Sequence, residues 1–378
     1  MAKAKLALIP VAKYDEQLVY DAVKKGFELL GGIEQFVSPE EKILVKPNLL
    51  FGAAPEKAVT THPDVLGAVF RCLREAGCKD LCYGDSSGSP VAVLEKTVEI
   101  SGLKPMAEKY SVPLGDFGSA VNVSYPEGKT AKKFPICKAA VDADAIISVC
   151  KMKTHALENI TGAVKNQYGL IYSANKALGH AKYPNSKIFA DMMADLNNCI
   201  KPRFYVMDGI LAMEGNGPGS GDPTPMNVIL MSADPVALDS VFAKLIYLEP
   251  ENVPTCTSGA AYGLGTMDFS EIEILTPDGA VTADQAQKSF GNADFKVNRK
   301  KISFWRASSL LPSLSSKLHK PVVDLNKCVG CGICQEACPV EGKAVHSGNG
   351  KKAEYDYKKC IRCYCCQEMC PAKAITKK

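Results

Sequence analysis

Two hydrophobic patterns alternate along residues 1–283 of the chain. Short uninterrupted apolar runs, such as 6–11 and 42–48, are typical of strands that are buried on both faces. Between these runs, residues 15–30 place apolar side chains three or four positions apart and end at a pair of glycines, which predicts an amphipathic helix. The alternation therefore predicts strands that are connected by helices.

The same alternation predicts further elements up to residue 275. The predicted strands are 80–88, 145–153, 204–209, 227–233 and 271–275, and the predicted helices are 63–76, 187–199 and 235–247. Such alternation favours an α/β fold, a mostly parallel sheet with helices on both faces. No apolar run approaches the roughly 20 residues that cross a bilayer, so we expect no membrane span.

Residues 284–320 lose the alternation and are basic and rich in serine. We predict that this segment is a linker or docking arm between the α/β domain (1–283) and a separate module (321–378). The single tryptophan, Trp305, lies in it, and we expect its side chain to anchor the segment on the α/β domain. A partner-binding amphipathic segment is the alternative.

One cysteine pattern, C-x2-C-x2-C-x3-C-P, occurs twice in residues 321–378. This spacing is typical of bacterial two-cluster ferredoxins, in which each run gives three ligands to one [4Fe–4S] cluster and its last cysteine to the other. We therefore expect a small ferredoxin-like α+β module that holds two clusters. The predicted ligands are Cys328, Cys331, Cys334 and Cys370 for cluster 1, and Cys338, Cys360, Cys363 and Cys366 for cluster 2. Zinc is the alternative metal for C-x2-C pairs.

The two runs align as an internal repeat, and in that register Cys365 matches Ile333. We interpret Cys365 as a packing residue beside the cluster. Low-potential clusters and many free thiols both require a reducing compartment, so we place the protein in the cytoplasm.

The charge of the chain is concentrated in the C-terminal module. Residues 321–378 hold ten Lys or Arg against six Asp or Glu, a net charge of +4 that equals the net charge of the whole chain. A basic face favours a redox partner protein that is acidic where it docks, or docking on the α/β domain of the same chain. Lysines that are merely solvated are the alternative. Nucleic-acid binding is not expected, because the charge is small and no basic, aromatic groove is evident.

Polar side chains cluster where predicted strands end, the edge at which open α/β sheets bind ligands. Lysines at such an edge suit a small anionic ligand such as a phosphate or carboxylate, and an imidazole there could shuttle protons. The candidate ligand-binding residues are Lys46, Asn48, Asp85, Ser86, Ser87, Thr154, Glu158, Asn166 and Glu214, and the candidate catalytic residues are Lys151, Lys153 and His155.

Each feature also has a purely structural interpretation. The DSSG segment at 85–88 also fits a turn that caps a helix, and Asp234 before Pro235 is a good N-cap. The glycine-rich segment at 214–221 lacks the spacing of a nucleotide-binding loop.

Several of these segments occur in the order found in a known family. VKPNLL (45–50), AVTTHP (58–63), GDSSG (84–88), CKMKTH with ITGAVKN (150–166) and MEGNGPGSG (213–221) resemble the DUF362 family, which is often fused to a ferredoxin module. The resemblance covers about residues 5–280 and implies an iron–sulfur protein of prokaryotic type. It implies a site at the motif positions but supplies no reaction.

We expect an iron–sulfur electron-transfer protein whose two clusters relay low-potential electrons to or from a ligand or partner at the α/β domain. An oxidoreductase, or a subunit of one, is one interpretation of such a protein, and the sequence leaves open whether the chain is an enzyme. Two alternatives stay open: a ferredoxin-type carrier with no catalysis of its own, and a cofactor-maturation or metal-handling protein. The sequence leaves open an additional flavin, nucleotide or metal.

Overall fold

The computed structural model describes residues 3–87, 94–172, 176, 179–180, 182–183, 185–300 and 320–377. Three features singled out in the sequence lie outside these residues. They are Gly88 of the GDSSG segment, Trp305, and residues 301–319 of the predicted arm.

Strands of the first 300 residues form one large sheet and one small hairpin. They are β1 (Ala4–Pro10), β2 (Ile43–Pro47), β3 (Leu81–Tyr83), β4 (Ala120–Ser124), β5 (Lys133–Cys137), β6 (Ala145–His155), β7 (Asn159–Thr161), β8 (Phe204–Glu214), β9 (Asp222–Ser232), β10 (Ile272–Thr276) and β11 (Gly279–Val281). Among the described residues, nine of them form a sheet in the order β11-β10-β1-β9-β8-β6-β2-β3, with β7 paired to β6. Strands β4 and β5 pair separately.

Six of these nine strands, β1, β2, β3, β6, β8 and β10, run in the same direction. The prediction of a mostly parallel sheet is therefore confirmed. The structure differs at β8 and β9, which are adjacent antiparallel strands of 11 residues each. They are joined by the glycine-rich segment alone, and a connection that short allows only an antiparallel hairpin.

Helices cover both faces of the large sheet, as predicted. They are α1 (Glu16–Leu29), α2 (Pro63–Glu75), α3 (Leu94–Ile100), α4 (Leu103–Lys109), α5 (Lys138–Val141), α6 (Ala163–Asn166), α7 (Ser186–Ile200), α8 (Pro235–Leu245), α9 (Pro254–Ala261) and α10 (Ala283–Phe290). Helices α1 and α2 bury apolar side chains in the core on one face. Helices α7 and α8 do so on the other.

Side-chain alternation along β6 decides which polar groups face the site. Ile147 and Val149 enter the core beneath α1 and α2, whereas Ile146 and Cys150 enter the core beneath α7 and α8. Ser148 shares the second face, because successive side chains of a strand point to opposite sides. Lys46 of β2 lies beside Ser148 in the sheet register. The buried lysine and serine therefore lie on the α7 side of the sheet.

The C-terminal module is a duplicated unit of strands and short helices. It contains β12 (Pro321–Val323), α11 (Ile333–Glu336), β13 (Val345–Gly348), β14 (Lys351–Tyr355), α12 (Cys365–Glu368) and β15 (Ile375–Lys377). The first strand pairs antiparallel with the last, and β13 pairs antiparallel with β14. This matches the predicted ferredoxin-like α+β module.

Residues 284–300, the described start of the predicted arm, lie against the α/β domain. Phe295 is fully buried in the core, and Arg299 Nη2 donates to the carbonyl of Ile246 at 2.9 Å. The boundary at residue 283 stays a prediction. In the part of the chain that the structure describes, no helix combines the length and apolarity needed to cross a bilayer.

Candidate functional site

A cleft lies between the α/β domain and the C-terminal module. It encloses about 820 Å³ of empty space, counting the part that opens to solvent. Its α/β wall carries the ends of β2 and β6 and the segment that follows β7. Its other wall includes Ala337, Cys365, Glu368 and Met369 of the C-terminal module. Both parts of the chain therefore build this site.

A buried ion pair forms the base of the cleft. Lys46 Nζ lies 3.1 Å from Asp85 Oδ2, and both side chains are almost completely buried. Lys46 Nζ also donates to Asn166 Oδ1 at 3.2 Å, which in turn accepts from Asn48 Nδ2 at 3.1 Å. Asn166 Nδ2 donates to Ser148 Oγ at 2.9 Å. The network links the ends of β2, β3 and β6 to helix α6 and holds their polar side chains rigidly.

Two further lysines line the cleft above this base. Lys153 Nζ donates to the carbonyl of Val59 at 2.7 Å, and Lys176 Nζ donates to the carbonyl of Ser86. Burial, with Lys165 nearby, lowers the pKa of Lys153 to about 7. Burial also lowers the pKa of Lys176 to about 8. Both ammonium groups are therefore held where their charge is only partly compensated.

Lys165 is the least constrained cation of the cleft. Among the described residues its ammonium has no hydrogen-bond acceptor or carboxylate partner, and it lies over the rings of Tyr168 and Phe189 at 6.0 and 5.9 Å. His180 stacks on Phe189 with a centroid distance of 4.6 Å. Burial lowers the pKa of His180 to about 4, so its ring is neutral at pH 7. Lys165 is the charge most available to a ligand.

A histidine–carboxylate contact joins the two parts of the chain beside the cleft. His155 Nε2 lies 2.8 Å from Glu368 Oε1. His155 Nδ1 accepts from the backbone N–H groups of Leu157 and Glu158 at 3.0 and 3.1 Å, so the ring proton of the neutral tautomer is on Nε2. Burial lowers the pKa of His155 to about 4. Burial raises the pKa of the fully buried Glu158 to about 8.

The structure does not bring Lys151 into the cleft. Its Nζ lies 2.6 Å from Asp208 Oδ2 and donates to Tyr14 OH at 2.8 Å. Tyr14 stacks on His62 at 3.5 Å and donates to Asp208 Oδ1 at 2.8 Å. Lys151 and Lys153 lie on the same face of β6, but Lys151 is held by Asp208 and Tyr14, whereas Lys153, further along the strand, lines the cleft. Lys151 belongs to a separate buried network.

The predicted residues divide into three groups. Asn48, Asp85, Ser86, Asn166 and Lys153 line the cleft. Lys46 lies at its base, and Ser87, His155 and Glu158 are buried nearby. Lys151, Thr154 and Glu214 face other parts of the molecule.

Thr154 and Glu214 hold the turn between β8 and β9. Thr154 Oγ1 donates to the carbonyl of Gly215 at 3.1 Å and accepts from Gly217 N at 3.3 Å. Glu214 Oε1 lies 3.2 Å from Lys296 Nζ. These contacts fix the glycine-rich turn against the end of β6. Strand β8 continues to Glu214, beyond the predicted end at residue 209, and the turn that follows it is anchored.

That anchored turn docks on the C-terminal module. Gln367 Nε2 donates to the carbonyl and side-chain oxygens of Asn216 at 3.0 and 2.9 Å, and to the carbonyl of Gly217 at 3.1 Å. A Cβ on Gly219 would lie 2.5 Å from the carbonyl of Glu368, so this close approach requires glycine. The glycine-rich turn therefore serves as the docking surface for the module.

Two apolar cavities of the module are each surrounded by four cysteines. One is lined by Cys328, Cys331, Cys334 and Cys370. The other is lined by Cys338, Cys360, Cys363 and Cys366. These sets are the two ligand sets expected from the sequence, with Cys338 and Cys370 crossing between the runs. Four thiols around a small apolar cavity fit a [4Fe–4S] cluster.

Each cavity also supplies hydrogen bonds to its sulfurs, which tune the potential of a bound cluster. The bonds run from Ala353 N to Cys328 (3.4 Å), Ala374 N to Cys370 (3.3 Å), Ala344 N to Cys338 (3.3 Å) and Tyr355 OH to Cys366 (3.2 Å). The two cavities differ in exposure: Cys331 is exposed, whereas Cys363 and Cys366 are buried. Helix α12 carries Cys366 at the second cavity and Cys365 at the cleft.

Four side chains of the cleft, three charged and one a histidine, were not among the residues predicted from the sequence. Lys165 lies in the ITGAVKN segment directly before the predicted Asn166, and Lys176 and His180 lie outside the quoted motifs. Glu368 lies inside the cysteine repeat, which the sequence analysis interpreted only as a set of cluster ligands. The repeated Gln-Glu pair at 335–336 and 367–368 was the available signal, but only the second copy faces the cleft.

Comparison with known proteins matches both parts of the chain. The family described as a domain of unknown function, DUF362, matches residues 43–244. A 4Fe-4S dicluster domain matches residues 320–371, which replaces the zinc alternative with iron–sulfur binding. The thylakoid-associated protein sll1697 of Synechocystis sp. is 32% identical over 262 residues, which cover 68% of this chain and 79% of that protein.

Two solved structures show a weak overall likeness. The lactate racemase apoprotein from Thermoanaerobacterium thermosaccharolyticum has a TM-score of 0.42 at 13% identity, over 62% of this chain and 55% of that one. A structural-genomics protein from Thermotoga maritima has a TM-score of 0.37 at 14% identity, over 67% of this chain and 60% of that one. The family and domain matches carry the assignment: the chain is an iron–sulfur protein of electron-transfer type that belongs to the DUF362 family.

Proposed function

We propose that this protein is an oxidoreductase in which two [4Fe–4S] clusters pass low-potential electrons to a ligand bound in the cleft. The observation that carries the proposal is the shared wall. Helix α12 lines the cleft with Cys365 and Glu368 and also supplies Cys366 to the cysteine cavity behind it. A ligand in the cleft is therefore separated from that cluster by one short helix.

The unequal exposure of the cysteines supports a direction for the electrons. Cys331 is exposed, and the nearby side chains of Val329 and Leu325 are 65% and 51% exposed. We propose that electrons enter at cluster 1, bound by Cys328, Cys331, Cys334 and Cys370. They leave from cluster 2, bound by Cys338, Cys360, Cys363 and Cys366. Each reduced cluster carries one electron.

A redox partner protein supplies those electrons in this proposal. Lys327, Lys351 and Lys352 lie in the same part of the module as exposed Val329, and Lys351 and Lys352 are exposed. Exposed lysines around an apolar centre favour a partner with an acidic docking face. The basic side chains near the other end of the module, Lys373 and Lys377, donate to carbonyls of the α/β domain. The positive charge of the module thus serves both contacts.

The thiols support a reducing compartment, and we keep the cytoplasm as the proposed location. None of the sixteen cysteines forms a disulfide, and seven of the eight outside the predicted ligand sets are buried. The Synechocystis relative is named as thylakoid-associated. Association with a membrane surface on the reducing side is compatible with both observations.

A cleft-filling variant separates this proposal from a carrier that has no catalysis of its own. Leu50 lines the cleft, so Leu50→Trp occupies ligand space, whereas Leu18→Trp adds the same bulk on an exposed position of α1. Each protein, loaded with iron and sulfide and reduced under anaerobic conditions, is mixed with the protein-free small-molecule fraction of a cell extract. Reoxidation of the clusters is followed by absorbance.

We expect Leu50→Trp to slow this reoxidation by about tenfold or more, which corresponds to about 1.4 kcal/mol of lost transition-state stabilisation. Leu18→Trp should match the unsubstituted protein, and all three should react equally with ferricyanide, which reaches the exposed cluster. If Leu50→Trp has no effect, the cleft is not the electron exit and the carrier alternative is correct. Iron analysis should give about eight iron atoms per chain.

A further inference from the structure

We infer that the ligand of the cleft is a dianion, a dicarboxylate or a phosphate monoester, held by Lys153, Lys165 and Lys176 with its uncharged part toward Cys365 and Met369. The inference rests on the proposed function in that it names the ligand of the same cleft. It goes beyond that function by assigning the charge, the orientation and the residues of recognition.

When its lysines are protonated, the cleft carries two positive charges more than negative charges. Asp85 is already neutralised by Lys46 at 3.1 Å. Glu368 offsets one of the three remaining lysines, and His155 and His180 are neutral because burial lowers the pKa of each to about 4. Two positive charges therefore stay without a counter-charge in the described residues. Buried or half-buried cations of this kind require anionic partners.

The donors of these lysines are also not fully used. An ammonium group has three N–H donors. Lys153 and Lys176 each make one bond, to a backbone carbonyl. Lys165 makes none among the described residues and contacts only the faces of aromatic rings. Carboxylate or phosphate oxygens would complete all three ammonium groups.

Other unpaired polar atoms define the rest of the recognition surface. His180 Nδ1 and Asn48 Oδ1 are buried without a hydrogen-bond partner in the described structure, and both residues line the cleft. A buried polar atom without a partner costs free energy unless a ligand or water pairs with it. A ligand that both accepts and donates hydrogen bonds next to its anionic groups, such as a hydroxy-substituted acid, pairs with these two atoms.

The apolar residues of the cleft give the ligand an orientation. Leu50, Pro218, Ala337 and Met369 line the side that the C-terminal module shares. The lysines belong to the α/β domain. An anion at the lysines directs its less polar part toward Met369 and Cys365, which places that part beside the helix that carries Cys366.

The lowered pKa values agree with this arrangement. Burial is the main cause for both Lys153 and Lys176, and neighbouring lysines lower both pKa values further. A bound dianion raises the pKa values of Lys153 and Lys176, opposite to the effect of the neighbouring lysines. A neutral ligand does not compensate the charges, and a cation adds to the repulsion, so neither fits this cleft.

Isothermal titration calorimetry on the iron-loaded protein tests the inference without electron transfer. Succinate, inorganic phosphate and acetate are compared at equal ionic strength. Lys165→Met removes a charge that makes no hydrogen bond in the described structure, so the fold should be retained. Lys165→Arg keeps the charge, and Lys133→Met removes an exposed charge on β5 as the matched control.

At least one of the two dianions should bind about tenfold or more tightly than acetate, a difference of about 1.4 kcal/mol. Lys165→Met should abolish that preference, Lys165→Arg should restore it, and Lys133→Met should leave it unchanged. Preference for succinate over phosphate, or the reverse, identifies which dianion the cleft takes. Equal binding of acetate and the dianions, or no binding of either dianion at millimolar concentration, overturns the inference.

The outcomes also separate this inference from the proposed function. If dianions bind but Leu50→Trp leaves cluster reoxidation unchanged, the ligand class stands and the electron exit is elsewhere. If Leu50→Trp blocks reoxidation while dianions show no preference, the electron exit stands and the ligand class is wrong.

Discussion

Gly169→Ala is the most direct test of the ion pair at the base of the cleft. Gly169 lies in the turn after helix α6, and a Cβ built there would overlap Asp85 Oδ1 and lie 2.5 Å from Lys46 Nζ. Neither side chain moves away easily. Lys46 Nζ also binds the carbonyl of Pro47 at 3.0 Å, and Asp85 Oδ2 accepts from Leu49 N at 2.8 Å. The added methyl group therefore forces the pair apart.

The expected loss of stability follows from this burial. Separating two charges that are almost completely buried costs about 3–5 kcal/mol, because each is left without compensation. A loss of about 3 kcal/mol lowers the melting temperature of a domain of this size by roughly 6–12 °C. Thermal unfolding of the iron-loaded protein, followed by far-UV circular dichroism, measures the change.

Gly118→Ala is the matched control. At Gly118 the nearest neighbour of the new Cβ is 3.7 Å away, an ordinary contact, so the melting temperature should change little. A loss of about 1 kcal/mol corresponds to roughly 2–4 °C in melting temperature. If the two variants melt within about 2 °C of each other, the ion pair does not stabilise the base of the cleft. Reduced dianion binding in Gly169→Ala alone would show that the pair positions the cleft.

Three further outcomes are expected. Cys331→Ala and Cys363→Ala should each remove one cluster, about four of eight iron atoms, and electron paramagnetic resonance of the reduced proteins should show different remaining signals; identical signals would contradict the two ligand sets. Gln367→Ala removes both N–H donors that Gln367 Nε2 shares among three acceptors of the β8–β9 turn. It should weaken docking of the module by about 1–3 kcal/mol and lower the temperature at which the cluster absorbance bleaches. An unchanged temperature would refute this role of the turn. Binding of succinate should take up protons at pH 7.5, because Lys153 and Lys176 have pKa values lowered to about 7 and about 8 and the dianion raises them. The affinity for succinate should therefore fall as the pH rises from 7 to 9. A binding heat that does not depend on the ionisation enthalpy of the buffer would contradict this.

Much of the framework could be predicted from local patterns. The periodicity of residues 15–30 and 63–76 depends only on which side chains face the sheet, and both helices occur within a residue or two of their predicted ends. The cysteine spacing predicted an iron–sulfur domain, which the 4Fe-4S dicluster match over residues 320–371 supports, because cluster ligation depends on short loops. In each case the information lies within about 20 consecutive residues.

The cleft could be predicted only in part because its parts come from distant segments. Lys46, Asp85 and Asn166 were predicted, since each lies at the end of a strand of the sheet or shortly after one. Lys176 follows no strand, and Glu368 reaches the cleft only because the module docks there. Docking depends on the β8–β9 hairpin, which periodicity alone could not distinguish from two parallel strands.

Alternation along a strand does not decide which of two lysines reaches the cleft. Lys151 and Lys153 are two residues apart, so regular pleating places both on one face of β6. Lys151 pairs with Asp208 outside the cleft, whereas Lys153 lines it. This difference depends on Asp208 of β8, which is distant in the sequence, and leaves no signal in the lysines themselves.

The shared wall of the cleft has a consequence for why the two parts form one polypeptide. Were the ferredoxin module a separate protein, each encounter would have to rebuild half of the binding site and would cost translational and rotational entropy. Covalent attachment replaces that encounter with an effective concentration of the order of millimolar. On the proposed function, the chain therefore keeps its electron donor next to the cleft whatever the cellular concentration of the protein.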